Sequence, residues 1–178
     1  MIDNKSLILF APGGHTGGAL ILLKSILSSI TKNTTLDVFL DTRALNLINI
    51  PNFVNVHWVK PSISSRVQAE WKLFMISRKN RIILNFNSLP NLFPTKGQRI
   101  MLHQNSLLLQ KSTFDIFSIK TEMKYMIKRI YSYLFNNNVD EFIVQTLTMK
   151  KDLKNRYGDK IKVKIIPFME NIIYPKLS

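Results

Sequence analysis

Ser6-Leu-Ile-Leu-Phe-Ala-Pro-Gly-Gly-His-Thr-Gly-Gly-Ala-Leu-Ile-Leu-Leu-Lys24 decides how the chain is read. Ser6 to Ala11 is an apolar run of strand length. Pro12 ends it and opens a loop holding Gly13, Gly14, Gly17 and Gly18, and Ala19 to Ile30 then reads as a helix. Strand, glycine loop, helix is how an α/β domain opens. Glycines remove Cβ atoms where the chain turns sharply and where another molecule approaches the backbone. The helix that follows presents free N–H groups, which favour an anion. Two common phosphate loops are absent. A P-loop needs Lys and Ser/Thr after its last glycine, where Ala19-Leu20 stand, and Gly14-His15-Thr16-Gly17 lacks the dinucleotide spacing, although Asp41 ends the second strand.

Alternation continues downstream. Leu36–Asp41, Phe53–Val59, Arg81–Phe86, Arg99–Gln104, Glu141–Gln145 and Lys162–Ile166 read as strands. Between them, Thr42–Asn49 reads as a short helix. Ser62 caps a helix to about Lys79, with Val67, Trp71, Phe74 and Met75 at helical spacing. Ser118–Phe135 reads as a long helix stopped by Asn136-Asn-Asn138, and Thr148–Tyr157 as a helix ended by Gly158. Asn87 to Gly97 is a loop by its Pro and Asn content. Neither a repeat nor a linker interrupts the series. The expectation is one α/β domain over residues 1–178, a Rossmann-like, doubly wound, mainly parallel sheet of about seven strands.

In such sheets ligands sit beyond the carboxyl ends of the strands. Four polar clusters fall at that edge: the glycine loop with His15 and Thr16, Asn85 to Ser88, His103-Gln104-Asn105, and Gln145-Thr146. Together they predict one shared cleft.

Composition narrows the partners. The 178 residues are 46% hydrophobic, too apolar for disorder, and hold no cysteine, so disulfides and thiolate metal sites are excluded. Twenty-five Lys+Arg against 11 Asp+Glu give a formal charge of +14. Such a field favours nucleic acid, an anionic membrane surface or a phosphorylated substrate. No secretory signal precedes the first strand, and no run reaches the roughly 18 apolar residues of a membrane span. No His, Asp or Glu cluster has metal-ligand spacing. In the helix from Ser118, Lys120, Lys124 and Lys128 share one face, and Met123, Met126, Ile127, Ile130, Tyr131 and Leu134 occupy much of the rest. A basic amphipathic helix of this kind can lie on an anionic bilayer, and the plain alternative is a covering helix with a solvated lysine face.

Four stretches resemble the N-terminal half of a GT-B glycosyltransferase of the family-4 (retaining, group 1) type found in bacterial polysaccharide and O-antigen clusters. They are Pro12-Gly-Gly-His-Thr-Gly-Gly18; Asn87-Ser-Leu-Pro-Asn-Leu-Phe93; Ile100-Met-Leu-His-Gln-Asn-Ser-Leu-Leu-Leu109; and Phe142-Ile-Val-Gln-Thr-Leu-Thr-Met-Lys-Lys-Asp-Leu153 with Ile165-Ile-Pro-Phe168. The resemblance implies an acceptor-side domain without its C-terminal, donor-binding domain, and therefore inactive alone. It implies a nucleotide-sugar donor for the complete enzyme, no cofactor on this domain, and a polysaccharide or lipid-linked glycan acceptor. The cytoplasmic face of the membrane is the implied location.

On this reading Gly13, Gly14, Thr16 and Gly17 bind substrate, the loop contacting the donor diphosphate through backbone N–H groups. His15 orients or deprotonates an acceptor hydroxyl, and His103 is a second catalytic candidate. Asn87, Gln104, Asn105 and Thr146 offer hydrogen bonds to sugar hydroxyls, while Lys120, Lys124 and Lys128 face the membrane. Gly13-Gly-His-Thr16 is also similar to the membrane-associated half of a two-subunit N-acetylglucosaminyltransferase. That resemblance implies the alternative of a split enzyme with a separate donor-binding chain. A third reading, a nucleic-acid module, rests on charge alone.

Overall fold

The computed structural model describes residues 6–32, 34–86, 88–110 and 118–167. Seven strands, β1 (Ser6–Ala11), β2 (Thr35–Asp41), β3 (Asn55–Val59), β4 (Arg81–Asn85), β5 (Gln98–Leu102), β6 (Glu141–Val144) and β7 (Val163–Ile165), form one sheet in the order β3-β2-β1-β4-β5-β6-β7. Every pairing is parallel. The helices are α1 (Gly17–Ser29), α2 (Ile63–Ile76), α3 (Ile119–Leu134) and α4 (Leu147–Tyr157). The fold is a Rossmann-like, doubly wound α/β domain, and the strand order reverses between β1 and β4.

Alternate strand residues face opposite layers. Leu9, Ala11, Val38, Leu40 and Leu102 pack with Leu23 and Leu27 of α1. Ile8, Phe10, Phe39 and Ile83 face the other way, against Ala69 and Leu73 of α2, and Met101, Phe142 and Val144 meet Met149 and Leu153 of α4. Burial of each such side chain contributes about 1.5–3 kcal/mol, which is why both faces of β1 are apolar.

At the amino-terminal edge a polar belt stitches four strands. Asp37 on β2 accepts from Arg81 of β4 at 2.6 Å and from Asn55 of β3 at 2.6 Å, with His57 Nε2 at 3.2 Å. Arg81 Nε also donates to the Ser6 hydroxyl on β1. Burial pushes the Asp37 carboxyl up, but these hydrogen bonds outweigh it and hold the group below its ordinary value.

Three expectations change. Thr42–Asn49 holds only a single 3-10 turn, Thr42–Ala44, because Asp41 accepts from the Arg43 amide and caps a short turn. Spacing identified α2 but not its inner face. Ala69, Glu70 and Leu73 are buried, whereas Val67, Trp71 and Met75 are exposed. In α3 the inward residues are Glu122, Arg129 and Ser132, Tyr131 is half-buried, and Met123, Met126, Ile127, Ile130 and Leu134 are exposed.

Candidate functional site at the carboxyl edge of the sheet

Because all strands are parallel, the loops after β1, β2, β4, β5 and β6 emerge along one edge. The glycine loop and the loop after β4 flank the point of order reversal. The backbone of Phe86 donates to Phe10 O at 2.9 Å, and a Cβ on Gly14 would lie 3.5 Å from the Phe86 ring, so these two loops touch.

Beside the first loop, His15 Nδ1 lies 3.3 Å from Gly13 O and 3.5 Å from Asp41 Oδ2 at the end of β2. Asp41 is almost fully buried. Its oxygens accept from Arg43 Nε at 2.9 Å, from the second guanidinium nitrogen at 2.6 Å and from the Arg43 amide at 2.9 Å. The Arg43 guanidinium holds the Asp41 carboxyl below its ordinary value. With its proton on Nδ1, facing two oxygens, the imidazole keeps a lone pair on Nε2. Gly17 has φ +58° and, like Gly18, has nothing within 4 Å of a Cβ position. Thr16 makes no side-chain cap and the first turn of α1 carries no acidic residue, a setting that suits an anion.

Farther along, Ser88 is buried with φ +56°, uncommon for a residue other than glycine. Its hydroxyl accepts from the amides of Gln104 at 2.8 Å and Asn105 at 3.2 Å. The loops after β4 and β5 are thereby joined. In line along the edge, contacts link Arg43 and Asp41 to His15, the glycine loop and Phe86, and a second linked group, Ser88 with Gln104 and Asn105, follows.

Not every expected residue is available on that line. His103 is fully buried, its Nε2 lies 3.1 Å from Asn105 O, and burial pushes its pKa down to about 4. It is a neutral, enclosed group that shapes the 103–105 turn, not one that meets an acceptor. The Asn105 side chain accepts from the Leu107 amide at 3.1 Å, and Thr146 Oγ1 accepts from the Met149 amide at 3.2 Å, so both serve as caps. Gly13, Thr16 and Gly17 are exposed, Gly14 is buried and Gln104 is half-buried. Asn87 lies outside the described residues. Lys120, Lys124 and Lys128 are exposed on α3. Asp41 and Arg43 were not among the predicted binding groups, and Ser88 was read only as the end of the polar cluster over 85–88. The one sequence signal for Asp41 was its place at the end of the second strand.

Cavities of about 500 Å³, between β3 and α2 beside His57, Lys60 and Lys72, and about 340 Å³, beside Gln110, Asp152 and Arg156, lie off this line. Among the described residues no three His, Asp or Glu side chains are grouped as metal ligands would be. No family model, curated protein or solved structure matches the chain.

Proposed function

We propose that this domain forms the acceptor-side wall of a glycosyltransferase site. A sugar passes from a nucleotide-sugar donor to a polysaccharide or lipid-linked glycan, and a donor-binding domain, on the same chain or another, forms the opposite wall. The observation that carries this reading is the gathering, at one carboxyl edge, of the glycine loop, the His15–Asp41–Arg43 group and the Ser88 junction with Gln104 and Asn105. Transfer needs an acceptor oxygen held against the anomeric carbon and a leaving diphosphate stabilised as charge develops on it. The uncapped amides at the start of α1 suit the diphosphate. His15 Nε2 suits an acceptor hydroxyl, which it would orient or deprotonate. Gln104 offers a side-chain amide for sugar hydroxyls.

Saturation-transfer NMR with a panel of short-chain prenyl diphosphate monosaccharides tests the reading. Saturation is expected to reach the sugar protons of at least one member, with affinity weakened at least about tenfold in His15→Ala. The domain of residues 1–178 by itself is expected to turn over no nucleotide sugar. Transfer by this isolated domain, or no sugar contact across the panel, overturns the proposal.

A further inference from the structure

Helix α3 is turned inside out. Its buried side carries an ion pair, Arg129 to Glu122 at 2.6 Å, and Ser132, whose hydroxyl meets Tyr157 Oη at 2.6 Å. A second guanidinium nitrogen of Arg129 donates to Leu107 O. The outer side carries Ile119, Met123, Met126, Ile127, Ile130, Tyr133 and Leu134, each between 48% and 71% exposed. At 100° per residue these seven fall within one band, and Lys120, Lys124 and Lys128 form a row along one flank of it. Sixteen residues give a stripe about 24 Å long. A helix that only covered the sheet would bury this band and expose its ion pair.

We infer that the outer face of α3 is a membrane-docking surface that lies flat in the headgroup region of an anionic bilayer. Charge complementarity selects this occupant. Three lysines in register beside a band of Met, Ile and Leu match an apolar layer bordered by phosphates, and lysine stems let their ammonium groups reach that border. A protein–protein interface core, by contrast, is depleted in lysine. The chain's formal charge of +14 adds long-range attraction of the same sign. No helix among the described residues is long and apolar enough to cross a membrane, so the contact is peripheral.

The position of α3 gives this surface a use. Tyr131 Oη donates to Pro90 O and Arg129 to Leu107 O, so the helix rests on the loops after β4 and β5. Those loops carry Ser88, Gln104 and Asn105. A bilayer under α3 would bring membrane-borne substrates to the strand-end site. This last step rests on the glycosyl-transfer reading; the docking itself does not, and its test uses no sugar.

The absence of cysteine permits single labels. The full chain carrying Met126→Cys, Tyr133→Cys or the control Lys24→Cys on α1 is labelled with an environment-sensitive nitrobenzoxadiazole dye. It is then mixed with phosphatidylcholine vesicles with or without 30% phosphatidylglycerol, the composition chosen at about the anionic content that gives a useful surface potential. Labels at 126 and 133 are expected to brighten and shift to the blue with the anionic vesicles, and the label at 24 to stay unchanged. Co-sedimentation is expected to fall at least about tenfold in Lys120→Glu/Lys124→Glu/Lys128→Glu and again in Ile127→Ser/Ile130→Ser. All five side chains replaced on the apolar and basic rows are exposed, and unchanged circular dichroism checks that each variant folds. Failure of the wild type to sediment with anionic vesicles overturns the inference, as does binding unaffected by the Ile127→Ser/Ile130→Ser change. So does a dimer in sedimentation velocity that the same change dissolves, because α3 would then be covered by a second copy.

Discussion

The His15 imidazole stands 3.5 Å from the Asp41 carboxylate, across the ends of the neighbouring strands β1 and β2. The arrangement is fixed from behind. Asp41 is buried and held by three donors of Arg43, so the carboxylate cannot swing away from the ring. Asp41→Ala is expected to lower stability by about 1 kcal/mol, as loss of a side-chain cap does. Arg43→Ala, at the exposed end of the same contact, is expected to change it much less. Urea denaturation of both variants checks the order.

Ser88 combines a left-handed backbone with two accepted hydrogen bonds. Ser88→Ala keeps the strain and leaves the amides of Gln104 and Asn105 without their acceptor, which costs about 1–3 kcal/mol. Ser88→Gly removes the strain as well as the hydroxyl and is expected to fall between Ala and wild type. Equal stability of all three proteins in urea would contradict this account of the loop junction.

Two glycines with positive φ should behave differently. A Cβ on Gly97, φ +106°, would overlap the Arg81 carbonyl oxygen and lie 2.6 Å from that of Arg78, both rigid backbone. A Cβ on Gly17, φ +58°, would meet nothing. Gly17→Ala is expected to cost about 1 kcal/mol, the conformational penalty alone. Gly97→Ala adds the clash and is expected to cost about 3 kcal/mol or more. Thermal unfolding of the two variants side by side reads the difference.

Acid is expected to weaken the fold in two stages. Burial lowers the His103 pKa from 6.5 to about 4, and burial also holds His57 below 6.5. Below pH 6.5 the unfolded chain takes up protons that these folded imidazoles refuse, so stability falls as pH drops from about 6.5 toward 4. Burial is the largest single influence on Asp37, but hydrogen bonds from Arg81, His57 and Asn55 together outweigh it, and hydrogen bonds from Arg43 and Arg99 are the largest influence on Asp41 and Asp140, so all three are held below 3.8. Their stabilising contribution is present above 3.8 and is lost as pH falls through their lowered folded values. Urea midpoints across this range, with imidazole NMR signals followed in parallel, should show both stages and a His103 resonance that stays neutral to about pH 4.

Much of this architecture was legible in residue order. Runs such as Ser6–Ala11 and Arg81–Asn85 are apolar on both faces, which only central parallel strands need, and Gly158 ended α4 as its position suggested. What resisted reading depends on contacts distant in sequence. The spacing of Val67, Trp71 and Met75 marks a helix but cannot say that Glu70 turns inward to accept from the Leu92 amide. His103 ends a strand, but whether it faces solvent depends on which neighbours close over it. Asp41 and His15 lie 26 positions apart (41 − 15), and only β1–β2 pairing brings them together.

The most direct test of the shared strand-end site is a two-dimensional amide NMR map of the protein titrated with the prenyl diphosphate monosaccharide that binds best. Shifts confined to Gly13–Gly18, Arg43, Ser88 and Gln104–Asn105, with Ser6, Asn55 and Arg81 at the opposite edge unmoved, are the predicted result. Shifts centred on the groove between β3 and α2, or on the amino-terminal edge, would contradict it.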